Sequence, residues 1–150
     1  MKPYVIGAFF CERVLKEEDG VLSAIRIVDV FNVHVPTEMP PDVTPAIQLT
    51  MVAIFKSEEP GTCTLTFEIL SPSGKKYRGG QPFSMLLGGG ERGASAVLHF
   101  PVAANEYGLY WLDLLVDEER ITRVPFKLAP NGAAPQSTGE ITQGLEKDAR

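Results

Sequence analysis

Residues 62–70 alternate with a period of two, placing Cys63, Leu65, Phe67 and Ile69 on one side and Thr62, Thr64, Thr66 and Glu68 on the other. Successive side chains of an extended chain point to opposite faces, so this spacing predicts a half-buried β-strand. Ser71-Pro72-Ser73-Gly74 follows, with Pro to set φ and Gly for a left-handed position, and predicts a turn into a returning strand over residues 75–78. Residues 47–56 alternate in the same way. Ile47, Leu49, Met51, Ala53 and Phe55 share the apolar side, and Gln48, Thr50 and Lys56 lie opposite. Val52 and Ile54 interrupt that polar side, which predicts cover over part of it.

Residues 94–102 put Ala94, Ala96, Leu98 and Phe100 on one face. Residues 107–117 and 121–128 flank Asp117-Glu118-Glu119-Arg120 and predict a hairpin, although its turn lacks the favoured Asn-Gly pair. Residues 3–11 and 21–35 are rich in the β-branched and aromatic residues that suit strands. Between them, residues 12–20 are charged and predict a loop or a single helical turn. Residues 36–45 hold four prolines and predict a long irregular connection.

Short strands at regular spacing predict an all-β fold, a two-sheet antiparallel sandwich of about seven or eight strands. The sandwich is expected over residues 1–128. From residue 129 the chain turns to Pro, Gly, Ser, Thr, Gln and charges, with only Ile141 and Leu145 as large apolar residues. Such a composition cannot offset the entropy of ordering, so 129–150 reads as a flexible polar tail that only a partner would hold.

Composition narrows the function classes. A chain of 150 residues can hold a core without disulfides or metals. Its net charge of −5 argues against nucleic acid as a partner, since phosphate contacts call for a basic face. The apolar run over residues 5–11 is too short for a membrane span or an export signal and meets Glu12 and Arg13 at once. A cytoplasmic protein with no membrane partner is expected. Cys11 and Cys63 each sit in an apolar strand and read as free thiols acting as small hydrophobes.

The candidate chemistry is thin. Gly88, Gly90 and Gly93 spell a G-x-G-x-x-G, but a dinucleotide site needs a helix after the third glycine, and a strand pattern follows instead. That segment predicts a loop between strands, and no cofactor is expected. His34 and His99 lie far apart and no close metal-ligand spacing occurs, so no metal site is predicted. Asp117, Glu118 and Glu119 supply too few oxygens for calcium and read as a solvated turn. No G-x-S-x-G elbow surrounds Ser84 or Ser95. A small hydrolase using His99 with a serine, or with Asp113 across a strand pair, is the enzymatic alternative, but no catalytic residue is assigned. Lys75-Lys76-Tyr77-Arg78 reads as a charged guard on an exposed sheet edge.

Two features near the end of the chain carry more. Glu106-Tyr107-Gly108-Leu109-Tyr110 resembles the tyrosine corner of immunoglobulin-like sandwiches, with Tyr110 bonding back to the chain and Leu112, Leu114 and Val116 following it inward. Leu109, Trp111 and Leu115 then lie on the outer face, interrupted only by Asp113. An apolar outer stripe wants cover from a strand, from the proline-rich loop or from a second subunit, and these three residues form the candidate interface.

Phe10-Cys11-Glu12 ending a first strand, Asp19-Gly20 opening the next, the proline-rich loop, the Ser71-to-Gly74 turn and Gly108-Leu109-Tyr110 together resemble an uncharacterised family of small bacterial proteins, a domain of unknown function. The resemblance covers roughly residues 3–128. It implies an immunoglobulin-like sandwich and carries no catalytic residue. Asp117-Glu118-Glu119 lacks the glycine expected at the final turn, and the tail has no counterpart. The function expected is a non-catalytic binding or assembly module acting through protein contacts, with a homodimer through the Trp111 face as one form. An accessory component of a larger bacterial or phage assembly, docking through the tail, is the other non-catalytic alternative.

Overall fold

A computed structural model describes residues 1–35, 37–38 and 40–132. Among these, nine strands form two sheets. They are β1 (Tyr4–Lys16), β2 (Leu22–Ile27), β3 (Val30–Val33), β4 (Ala46–Lys56), β5 (Gly61–Leu70), β6 (Lys76–Leu87), β7 (Ala94–Ala103), β8 (Gly108–Val116) and β9 (Glu119–Pro130). The four-stranded sheet runs β2-β1-β4-β7 and the five-stranded sheet β3-β9-β8-β5-β6. The two face each other as a sandwich.

The inner faces are those the alternation predicts. Leu49, Met51, Ala53 and Phe55 of β4 meet Cys63, Leu65, Phe67 and Ile69 of β5, all buried. Tyr110, Leu112, Leu114 and Val116 of β8 join them. Aromatic rings tie the layers together. Phe10 of β1 packs edge-on against Phe126 of β9 at 5.1 Å and against Phe31 of β3 at 6.1 Å, and Tyr110 stacks on Phe126 at 5.1 Å. The phenol of Tyr110 donates to the carbonyl of Glu106 at 2.9 Å, and desolvation with the nearby Glu106 charge pushes its pKa up to about 12.

The expected two-sheet all-β sandwich is present, with nine described strands rather than seven or eight and with one pairing that is not antiparallel. Residues 21–35 hold two strands, because the chain leaves the four-stranded sheet after Ile27 and enters the five-stranded one at Val30. Lys127 N–H donates to Asp29 O at 2.7 Å at that crossing, and β3 pairs with β9 in parallel, the single parallel pairing among the described strands. The charged residues 12–16 are neither loop nor helical turn. They continue β1 into a hairpin arm with β2, where alternate side chains reach water on both sides and Arg26 meets Glu12 at 2.9 Å.

Two further boundaries differ. The tail expected from residue 129 begins inside β9, since Ala129 is buried and Pro130 pairs with Val33. Residues 133–150, including Ile141 and Leu145, lie outside the described residues. The β8–β9 turn is closed by Asp117 and Glu118 alone, both left-handed at φ 48° and 69°. Asp117 compensates by gripping β5: its carboxylate accepts from Thr64 N–H at 2.9 Å, and its own N–H donates to Thr64 O at 2.9 Å.

Glu118 has no such anchor among the described residues, and its conformation costs a non-glycine residue about 1–2 kcal/mol. Glu118→Gly is therefore expected to stabilise the domain by about 0.5–1 kcal/mol after glycine's own entropic cost. A thermal melt checks this through a rise of a few degrees. An unchanged or lower midpoint would show that the turn is not strained.

Candidate functional site

With the interior filled, the outer faces of the two sheets are where the chain has side chains to offer. On the five-stranded sheet, β8 turns Leu109, Trp111, Asp113 and Leu115 outward between β5 and β9. Leu109 is exposed, Trp111 and Leu115 are half-buried, and Asp113 is 7% exposed. Strand register sets what surrounds them. Trp111 lies between Leu70 and Pro125, and Asp113 lies between Glu68 and Arg123. Arg78 stands beyond Glu68 at 4.0 Å, so one row across four strands reads Arg78, Glu68, Asp113, Arg123.

The row explains how a carboxylate can interrupt an apolar stripe. Arg123 grips Asp113 with two parallel bonds of 2.6 and 2.8 Å, the planar fork matching the carboxylate, and Arg120 adds a longer contact at 3.5 Å. The same guanidinium lies 5.7 Å from the centre of the Trp111 ring. Part of the cover that the stripe needs thus comes from β9 itself. The hydrogen bonds from Arg123 hold the Asp113 carboxyl below the usual carboxylate range, against the opposing pull of burial.

The four-stranded sheet carries a second surface. Beyond Cys11 the β1–β2 arm leans over that sheet's outer face, leaving a groove of about 680 Å³ between them. Phe9, Val52 and Val97 form one row of its floor, with Ile54 beside them. Val21, Leu22 and Ala24 of the arm form the facing wall, and Lys16 and Ser95 add the polar groups. Val52 is only 3% exposed although it points away from the core, so the cover predicted over Val52 and Ile54 is present. No functional site was expected here from the sequence. Its signal lay in those two apolar residues on a polar face, joined by Phe9 and Val97 on neighbouring strands.

The pairing of His99 with Asp113 does not assemble. His99 stands on β7 and Asp113 on β8, in different sheets and each on an outer face, so they cannot face each other across a strand pair. His99 is exposed and shares a 3.0 Å hydrogen bond with Thr50 Oγ1. Cys11 and Cys63 are free and buried, and burial pushes both thiols up, the reverse of what a nucleophilic cysteine needs. The Gly88-to-Gly93 segment is a tight turn between β6 and β7, in which Gly89 bridges Arg92 and Gly90 N–H donates to Glu58 O at 3.0 Å. No helix opens from it. Among the described residues no three His, Cys, Asp or Glu side chains group as metal ligands, and no helix is long and apolar enough to cross a membrane. Lys76 and Arg78 stand on β6, an edge strand of the five-stranded sheet.

These features define a small two-sheet β-sandwich domain. The model for the family of unknown function DUF6941 matches residues 6–129, and the chain belongs to that family. No curated protein matches it. Among solved structures, an immunoglobulin-like protein from Pseudomonas aeruginosa is 13% identical with a TM-score of 0.38, over 86% of this chain and 98% of that one. The alkylpurine DNA glycosylase AlkC from Pseudomonas fluorescens, solved bound to DNA containing an abasic-site analogue, is 14% identical with a TM-score of 0.42, over 84% of this chain and 30% of its own. A β-glucosidase from Kluyveromyces marxianus is 15% identical with a TM-score of 0.40, over 59% of this chain and 13% of its own. This chain therefore spans under a third of the length of both enzymes.

The Asp113–Arg123 pair makes a pH prediction. A carboxyl whose folded pKa is depressed adds stability that is complete above its unfolded value, about 3.9, and lost as the pH falls through the lower folded value. Asp113→Asn is expected to melt below wild type at neutral pH, by a gap that narrows as the pH drops below about 4. Melting curves across that range check it. A gap independent of pH would mean that the carboxylate charge is not what the variant loses.

Proposed function

We propose that this domain is a non-catalytic binding and assembly module that pairs with a second copy of itself through the outer face of the five-stranded sheet. The observation that carries the reading is the Leu109–Trp111–Leu115 stripe with opposite charge at its two ends. Lys127 lies opposite Leu109 and Lys76 lies in the Trp111 row. The Asp117-Glu118-Glu119 tip closes the other end beyond Leu115, whose neighbour Arg120 is already paired with Asp113. Two copies laid face to face with strands antiparallel bring each lysine end against the partner's acidic tip. A two-fold axis produces that arrangement, as an isologous dimer requires.

Trp111 supplies the anchor in this arrangement. A half-buried tryptophan beside an arginine is a common composition for an interface hot spot, and Arg123 already holds the indole in place. The Asp113–Arg123 pair is satisfied before association, so covering it leaves no buried charge unpaired. Where the second copy is instead a different protein in a larger assembly, the same face would serve.

Sedimentation velocity tests the reading. Wild type is expected at about twice its 16.4 kDa chain mass at high concentration. Trp111→Glu and the milder Leu109→Glu, at a position already exposed, are expected to fold and to sediment at the monomer mass. A wild-type monomer across the concentration range, or dimers that survive both substitutions, would reject the self-association.

A further inference from the structure

We propose that the groove between the β1–β2 arm and the outer face of the four-stranded sheet binds a single-chain carboxylate amphiphile of the fatty-acid class. The groove has apolar walls on two sides. Phe9, Val52 and Val97 come from three adjacent strands of the sheet, and Val21, Leu22 and Ala24 come from the arm above. Its volume, about 680 Å³, falls within the range of small-molecule sites. A flexible hydrocarbon chain suits such a slot because it needs area and makes no directional demand.

Charge selects the head group. Lys16 is the single charged residue lining the groove, and no carboxylate lines it. Lys16, like the other described lysines, makes no ion pair among the described residues, so its ammonium is available to a ligand. Two acids of the neighbouring turn are engaged locally and do not line the groove: Glu17 accepts from Ser23 Oγ at 2.7 Å and Asp19 from Val21 N–H at 3.1 Å. In a chain of net charge −5, a groove whose one charged lining residue is a lysine favours an anion over a cation. One ammonium point charge without an arginine fork fits a monoanion such as a carboxylate. The Ser95 hydroxyl, on the same lining, offers one further donor.

This site lies on the opposite sheet from the Trp111 face and does not rest on the dimer, so the two readings fail independently. Isothermal titration calorimetry of the full chain with dodecanoate, below its micelle concentration, is the test. Saturable binding at one ligand per chain is expected, with a negative heat-capacity change from apolar burial. Dodecanol and dodecyltrimethylammonium are expected to bind at least about tenfold more weakly, since they lack the anion. Lys16→Met, which keeps the side-chain stem, should weaken dodecanoate by about tenfold and leave dodecanol unchanged. Val21→Glu alters an exposed wall residue and should abolish dodecanoate binding without lowering the melting temperature. Trp111→Glu should leave it intact. No saturable binding to wild type would overturn the proposal. So would equal affinity for the cationic amphiphile, binding that Lys16→Met leaves unchanged, or binding that is lost with Trp111→Glu and kept with Val21→Glu.

Discussion

The edge-on contact between Phe10 and Phe126 is the interaction on which the rest of the molecule depends. It joins the second strand of one sheet to the second strand of the other, and Phe31, Phe100 and Tyr110 gather around it. Each ring is contributed by an inward position of its strand, so the contact fixes which side of every neighbouring strand faces out. A slip of one residue in β1 would exchange Phe10 for Phe9, taking Phe9 from the groove floor into the core. The outer faces are therefore a consequence of how the interior closes.

That closure limits the chemistry the domain can perform. The buried polar side chains among the described residues are Ser57, Ser71 and Asp113, and each is bound to a neighbour. Asp113 is held by two arginines, and neither cysteine is positioned or charged for attack. What remains is surface. One outer face presents an aromatic stripe between a basic and an acidic end, and the other presents an apolar groove with a single unpaired lysine. Both are shapes for holding something.

The inner faces of β4, β5, β7 and β8 were legible residue by residue because each strand is half-buried, and there the period-two signal is strongest. The first third was not. In β1 the arm leaves the sheet partway, so residues 12–16 are solvated on both sides and lose any alternation, which made a strand look like a charged loop. The split of residues 21–35 was hidden because both halves are equally β-branched, and only the sheet crossing at Asp29 separates them. The parallel pairing of β3 with β9 leaves no local mark, since it joins segments nearly a hundred residues apart. On the Trp111 face the stripe could be read directly. The arginine that partly covers it could not, because its placement depends on β8–β9 register through a bulge at Leu114 and Leu115.

Trp111 is the sole tryptophan of the chain, which makes its emission an unmixed reporter of the proposed interface. Fluorescence spectra taken from the lowest detectable concentration to the highest soluble one test the account most directly. Burial against a second copy predicts a progressive shift of the emission to shorter wavelength as concentration rises. An emission maximum fixed throughout at that of a half-exposed indole would contradict it.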